Sequence, residues 1–339
     1  MRSSPDDAAA APELSAAANG PMRFDEYMTR ALYGERGFYT LGGRAGRRGD
    51  FLTSPEIGPL FGTVLARWID AEHARLGCPD DFTVVEVGAG PGTLARAVLQ
   101  AAPQWAGRYV AVEVSAAQCD MHPDGVRSLP SLPTEPLRGV VIANELLDNL
   151  PFRLAVYDGG WREALVTMHP DGTATESLTA APAEWSWLPP TAAHGARVPV
   201  QEAAAAWVRA ARALLLDGTV LAFDYCTPRT AEVALLPWRA WLRTYRGHER
   251  GSHYLRDIGL QDITTQVCLD QLPEPSAVRT QRQFLQRWGI DELVEEGRVA
   301  WAAAAGAPNV AALRMRSRIR EAESLLDADG VGGFLALEW

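Results

Sequence analysis

The chain has 339 residues, 47% of them hydrophobic, a mean hydropathy of -0.10, a formal net charge of -10 and an isoelectric point near 5.2. That length accommodates one large domain with additions, or two, while the acidic balance repels phosphate backbones and disfavours a general nucleic-acid binder. No stretch approaches the ~18 consecutive apolar residues of a membrane span, and the scattered Cys78, Cys119, Cys226 and Cys268 argue against a disulfide framework or a bound metal and for reduced thiols in a cytoplasm.

Residues 1–20 are rich in Ala, Ser and Pro, with early acids and no apolar core, so they read as a disordered tail and not as a secretory signal. Residues 21–80 read as an N-terminal helical cap. Phe24, Tyr27, Met28, Ala31 and Leu32 have helical spacing, and Ser54-Pro55-Glu56 is a start signal for a helix from Leu60 to Leu76. From residue 81 to 339, apolar strands alternate with helices. Strands fall at 82–87, 109–113, 139–143 and 219–224, and helices at 93–100 and 200–216, the pattern of a mostly parallel sheet covered on both faces. Residues 152–170 predict a β-hairpin turning at Asp158-Gly159-Gly160, whose edge offers a homodimer contact. Residues 173–199 predict irregular chain. The last third predicts strands at 263–269 and 333–338 and helices at 280–288 and 309–326. Two stretches, about 152–200 and 227–262, read as insertions on the substrate side.

Three segments carry chemistry. Glu86-Val87-Gly88-Ala89-Gly90-Pro91-Gly92-Thr93 follows a buried strand and opens a helix. Its glycines permit a tight turn and close backbone approach, and the helix start offers free N–H groups. The third glycine comes one residue early for a dinucleotide turn, and Pro91 removes a donor that a pyrophosphate would use. This disfavours a nucleotide-dependent oxidoreductase and suits a ligand without phosphates. Glu113 ends the next strand, where a carboxylate can accept from both hydroxyls of a ribose. Asn144-Glu145-Leu146-Leu147-Asp148 follows a third strand. There a short helical turn would bring both carboxylates to one side, able to orient a nitrogen nucleophile such as a guanidinium; solvated acids capping a helix are the bland alternative.

Taken with these segments, Tyr33 to Tyr39, Gly49-Asp50-Phe51-Leu52-Thr53-Ser54-Pro55-Glu56-Ile57 with Phe61-Gly62, and Asn144 to Pro151 make the chain resemble the MidA-like methyltransferases. Those include the mitochondrial complex I assembly-factor protein arginine methyltransferases and their bacterial relatives. Asp224-Tyr225, Tyr245 to His248, Asp262-Ile263-Thr264, Phe284-Leu285 and Trp288 to Ile290 fit as well, so the likeness runs from about Phe24 to the C-terminus. It implies a Rossmann-like class I fold with a seven-stranded sheet, S-adenosyl-L-methionine as methyl donor and S-adenosyl-L-homocysteine as product. It implies that Asp50, Thr53, Ser54 and Glu56 close over the cofactor, which Glu86, Gly88, Gly90, Gly92, Glu113, Val114, Ser128, Leu129 and Asn144 hold, and that Glu145, Asp148 and His248 serve catalysis. The acceptor expected is a nitrogen, arginine of a protein in the best-known branch. A small molecule or modified peptide is the alternative substrate, and a non-catalytic assembly factor the alternative class. Two departures stand out: a short segment between Glu113 and Asn144, and Cys226 where the family has glycine. Trp185, Trp187 and Trp207 carry no assigned role.

Overall fold

The computed structural model describes residues 20–40, 53–246, 249–304, 306–307 and 309–339. The chain enters through β1 (Met22–Arg23), α1 (Phe24–Met28) and a π-helical turn over Thr29–Tyr33, then resumes with α2 (Ser54–Ile57) and α3 (Pro59–Arg75). A strand–helix series follows: β2 (Phe82–Val87), α4 (Thr93–Ala101), β3 (Tyr109–Val112), α5 (Ala116–Cys119), β4 (Val126–Leu129) and β5 (Leu137–Asn144). Four strands come next, β6 (Arg153–Tyr157), β7 (Trp161–Met168), β8 (Ala174–Ala180) and β9 (Arg197–Val200), then α6 (Glu202–Leu214) and β10 (Leu215–Asp224). The remainder comprises β11 (Cys226–Thr227), α7 (Thr230–Val233), β12 (Arg243–Arg246), β13 (Glu249–Arg250), β14 (Asp262–Thr264), β15 (Val267–Cys268), β16 (Ala277–Thr280), α8 (Gln281–Arg287), α9 (Ile290–Ala303), α10 (Val310–Leu325) and β17 (Leu335–Glu338).

Two bodies share the chain. The first is a seven-stranded sheet in the order β16-β17-β10-β5-β2-β3-β4. The run from β10 to β4 is parallel, while β17 lies antiparallel to both β10 and β16, so the sheet is mixed at one edge. Val84, Val85, Val140, Val141, Val220 and Leu221 are buried on both faces, as the unbroken β-branched runs require. On one face pack α3, α4, α8 and α10, through Phe61, Leu65, Val98, Phe284 and Leu325. On the other, α6 packs Ala204, Ala205, Val208 and Ala211. Each such Val or Leu contributes roughly 1.5–3 kcal/mol of burial.

The second body is a lobe built around a five-stranded antiparallel sheet, β1-β7-β6-β9 with β8 on the far side of β7. The sheet β13-β12-β14 joins it. Phe24, Tyr27, Phe152, Trp185, Trp241 and Tyr254 form its core.

Several expectations need correction. The stretch 21–80 does not make one cap: Phe24 to Leu32 are buried in the second lobe, whereas α3 lies on the main sheet. Residues 173–199 hold β8 and β9; β8 is exposed on most of its length, so it lacks the apolar alternation that marks a strand. The hairpin at 152–170 is no edge, because β9 pairs with β6 and β8 with β7. The strand at 263–269 is two, β14 and β15, parted where Thr265 N donates to the Asp148 carbonyl and Gln266 N to that of Trp241. The helix α9 was not expected at all: its buried face is only Ile290, Leu293 and Gly297, too sparse to show as an apolar stripe. The tail at 1–20 falls almost wholly outside the described residues.

Candidate functional site

A cleft of about 500 Å³ opens between the two bodies, at the carboxyl ends of β2, β3 and β5, where ligands of open α/β sheets bind. On its sheet side the turn after β2 carries Gly88 and Gly90 at φ 71° and 53°, and Gly92 precedes α4 at φ 77°. Side chains with a Cβ are disfavoured there, and the turn closes with Gly88 N and Ala89 N donating to the Val112 carbonyl at 3.0 and 3.1 Å.

Glu113 lies one residue past β3. Its Oε2 accepts from Gly90 N at 2.8 Å and its Oε1 from Ser115 N at 2.9 Å. Each carboxylate oxygen keeps a further lone pair, so Glu113 both braces the glycine turn and can receive two hydroxyls from a ligand. Glu86 is buried at the end of β2 and accepts from the Tyr109 hydroxyl at 2.7 Å; burial pushes its carboxyl up to about 8. Glu56, on α2, accepts from Thr93 Oγ1 at 2.5 Å and ties α2 to the start of α4. Val114, Leu132, Leu146 and Trp207 give one end of the cleft an apolar lining.

The other end is assembled from distant chain. Tyr33, Tyr39, Thr53, Pro55, Asn149 and Leu150 line it beside Glu145. Glu145 sits at φ 51°, a left-handed conformation unusual for a side chain of its kind; such strain concentrates at functional sites. Its backbone N donates to the Phe223 carbonyl at 2.8 Å, and Asn144 Nδ2 donates to its Oε1 at 3.1 Å. Burial, then the nearby charge of Asp148, push the Glu145 carboxyl up to about 8. Asn144 Oδ1 is buried with no partner among the described residues; an acceptor so placed on a cleft wall suits a ligand donor.

The expected helical turn from Glu145 to Asp148 is absent. The left-handed residue comes first and the 3-10 turn begins only at Leu147, so the two carboxylates do not share one helical face. Asp148 does not line the cleft; its Oδ2 receives the hydroxyls of Tyr225 and Thr264. Asp224 Oδ2 accepts from Leu147 N and Asp148 N at 3.0 and 3.2 Å and holds that turn against the sheet.

Of the residues expected at the site, Thr53, Glu56, Glu86, Gly88, Gly90, Glu113, Val114, Asn144 and Glu145 line the cleft. Ser54 is buried behind it, its Oγ donating to Gln281 Oε1 at 2.9 Å. Ser128 and Leu129 lie back in β4, and Ser131 and Leu132 line the cleft in their place. Gly92 lies behind the turn, against His122. His122 makes up for the short segment: its Nε2 lies 2.9 Å from the Gly90 carbonyl and its Nδ1 2.7 Å from Ser128 Oγ. Cys226 does not line the cleft. Asp50 and His248 lie outside the described residues. Tyr33, Tyr39 and Asn149 line the cleft without having been expected there, their only signal being the family-like segments they fall inside; Trp207, to which the sequence assigns no role, lines it too.

The lining is electrostatically one-sided. Glu56, Glu86, Glu113 and Glu145 reach it, and no Arg, Lys or His does among the described residues. Such a site suits a cationic ligand. The paired lone pairs of Glu113, the unpartnered Asn144 Oδ1 and the apolar end fit, in turn, the ribose hydroxyls, the amino-acid ammonium and the adenine of S-adenosylmethionine.

Residues 64–285 match the family described as "Putative S-adenosyl-L-methionine-dependent methyltransferase". A crystal structure of a superfamily member from Burkholderia thailandensis bound to S-adenosyl-homocysteine is 28% identical, with a TM-score of 0.79 over 95% of this chain and 88% of that one. The Danio rerio protein named protein arginine methyltransferase NDUFAF7, mitochondrial, is 28% identical over 82% of this chain and 75% of its own length. Its Drosophila melanogaster homologue is 31% identical over 47% of this chain, and the match spans only 44% of that protein. No helix among the described residues is long and apolar enough to cross a membrane.

Proposed function

The chain belongs to this family of S-adenosylmethionine-dependent methyltransferases, and on that premise we propose that it methylates a guanidinium nitrogen, the arginine side chain of a protein or peptide. The observation that carries the reading is the cleft's acidic lining: four carboxyl groups and no cationic side chain among its described lining residues. A sulfonium and a second cation must approach each other for the transfer, and an acidic lining offsets their repulsion. The names of the arginine methyltransferase relatives support the same acceptor.

S-adenosylmethionine supplies the methyl group and leaves as S-adenosylhomocysteine, the S–C bond electrons remaining on sulfur as the N–C bond forms. Glu113 anchors the ribose and keeps the glycine turn in place. Glu56 and Thr93 hold α2 over the start of α4. Glu145 is the catalytic residue: it accepts hydrogen bonds from the acceptor nitrogen, directs its lone pair, and takes the N–H proton that methylation releases. Its raised pKa suits a proton acceptor working near neutrality. Asp148 acts from behind, through the turn that carries Asn149.

The test is to label a total protein extract with methyl-tritiated S-adenosylmethionine and purified enzyme, then hydrolyse it and identify the labelled amino acid. Labelled methylarginine that falls away with Glu145→Gln is the expected result. Label in another amino acid, or none, sinks the reading.

A further inference from the structure

Tyr33 and Tyr39 lie six residues apart at the end of the π-helical turn and the loop after it, and both line the cleft. Their ring centroids are 5.5 Å apart and the rings lie within 19° of parallel. Neither hydroxyl is spare. Tyr33 Oη donates to the Asn149 carbonyl at 3.1 Å, and Tyr39 Oη donates to Asp262 Oδ1 at 3.0 Å. With the hydroxyls tied down, what the pair offers the cleft is aromatic surface. The backbone is fixed as well: Phe38 N donates to the Ala31 carbonyl and Tyr39 N to that of Leu32, both at 2.9 Å, while the Phe38 ring is buried in the lobe edge-on to Tyr39.

We propose that Tyr33 and Tyr39 form the wall that selects a planar guanidinium over a compact ammonium in this cleft, and that Asp262 is the positioning residue that holds the wall. The inference rests on the arginine reading and deepens it. A guanidinium is flat, delocalised and weakly hydrated, and it lies face-on against a tyrosine while its N–H fork reaches a carboxylate. An ammonium keeps its hydration and gains little from a flat wall. The cleft supplies both halves of guanidinium recognition, ring surface from Tyr33 and Tyr39 and a carboxylate from Glu145. Asp262 reaches the wall from β14. Its Oδ1 holds the Tyr39 hydroxyl, and Asn149 Nδ2 donates to its two oxygens at 3.0 and 3.2 Å, so one buried carboxylate orients two lining residues.

The experiment titrates the full chain, saturated with S-adenosylhomocysteine, with N-acetylarginine amide and N-acetyllysine amide, followed by NMR. The wild type binds the arginine probe more tightly. Tyr33→Leu and Tyr39→Leu weaken that probe by roughly three- to tenfold and leave the lysine probe within about twofold, the range expected for loss of a ring–cation contact. Tyr39→Phe keeps the ring but loses its tie to Asp262, so it costs part of the preference and less than Tyr39→Leu does. Asp262→Ala reproduces the loss, and Asp262→Asn, which retains an acceptor oxygen, recovers most of it. S-adenosylhomocysteine affinity stays unchanged throughout, which reports that the variants are folded. No preference in the wild type, or a preference that survives in the leucine variants, overturns the wall. A parallel loss of S-adenosylhomocysteine affinity in those variants also overturns it, because the tyrosines would then only support the fold. If the extract yields methylarginine and the wall fails, the inference alone is lost; if it yields none, the acceptor reading falls and takes the wall with it.

Discussion

The two ends of the cleft are built on opposite plans. The cofactor end comes mainly from one continuous stretch, Glu86 to Val114, and its key bonds run to backbone N–H groups fixed by strand ends and a glycine turn. The acceptor end gathers Tyr33, Tyr39, Glu145 and Asn149, with Asp262 behind them, from three regions of chain and two folding bodies. A backbone-built site admits one ligand and tolerates few changes. A site built from side chains of separate elements can be retuned one residue at a time. The contrast predicts that damage at the cofactor end abolishes binding, whereas damage at the acceptor end changes rate and choice.

The sharpest way to break this contrast is Glu113→Ala. The variant loses the ribose acceptor and leaves Gly90 N and Ser115 N unpaired, and S-adenosylhomocysteine affinity should fall on the order of 100-fold by calorimetry. Retention of wild-type affinity would refute the backbone-built picture. Next comes Glu145→Gln, for which kcat should drop about 10–100-fold with S-adenosylhomocysteine affinity intact. The pH profile sharpens the point. The carboxylate is the active form and burial holds its pKa at about 8, so wild-type kcat/KM should climb with pH up to about 8 and then level, while the glutamine variant stays flat. A smaller effect, about fivefold on S-adenosylhomocysteine affinity, is expected of His122→Ala, which frees the Gly90 carbonyl. Smallest is Glu86→Gln. Because the folded pKa of Glu86 is raised from the ordinary 4.5 to about 8, its contribution to stability is whole below pH 4.5 and is lost as pH rises through about 8. The Tm of the wild type should therefore fall more steeply than that of Glu86→Gln between pH 5 and 9, by a few degrees.

The same contrast explains what could be read from the sequence. The glycine turn, Glu113 and the apolar strands are local patterns, and the residues that make them also make the site. Glu145 was legible as the polar end of a strand. That it does not share a helical face with Asp148 was not, because spacing of three suggests a helical turn and nothing local announces a left-handed glutamate. Asp262 was visible only as part of a family-like segment, since its partners Tyr39 and Asn149 lie 223 and 113 residues away. Strand β8 escaped because a largely solvated strand shows little alternation. Ser131 and Leu132 displaced Ser128 and Leu129 because the short segment ends its strand before the cleft is reached.

The second lobe also has an evolutionary consequence. Its core draws Phe24 and Tyr27 from the chain's first described stretch, Phe152 to Val200 from the middle, and Trp241, Tyr254 and Ile263 from the last third. Strand β1 reaches across to pair Met22 with Val166. A lobe woven this way cannot be exchanged between relatives as a cassette: grafting any one stretch would set a foreign face against two native ones in a closely packed core. On the proposed reading, a change of acceptor is expected to come by point substitution on the cleft wall, within a scaffold inherited whole.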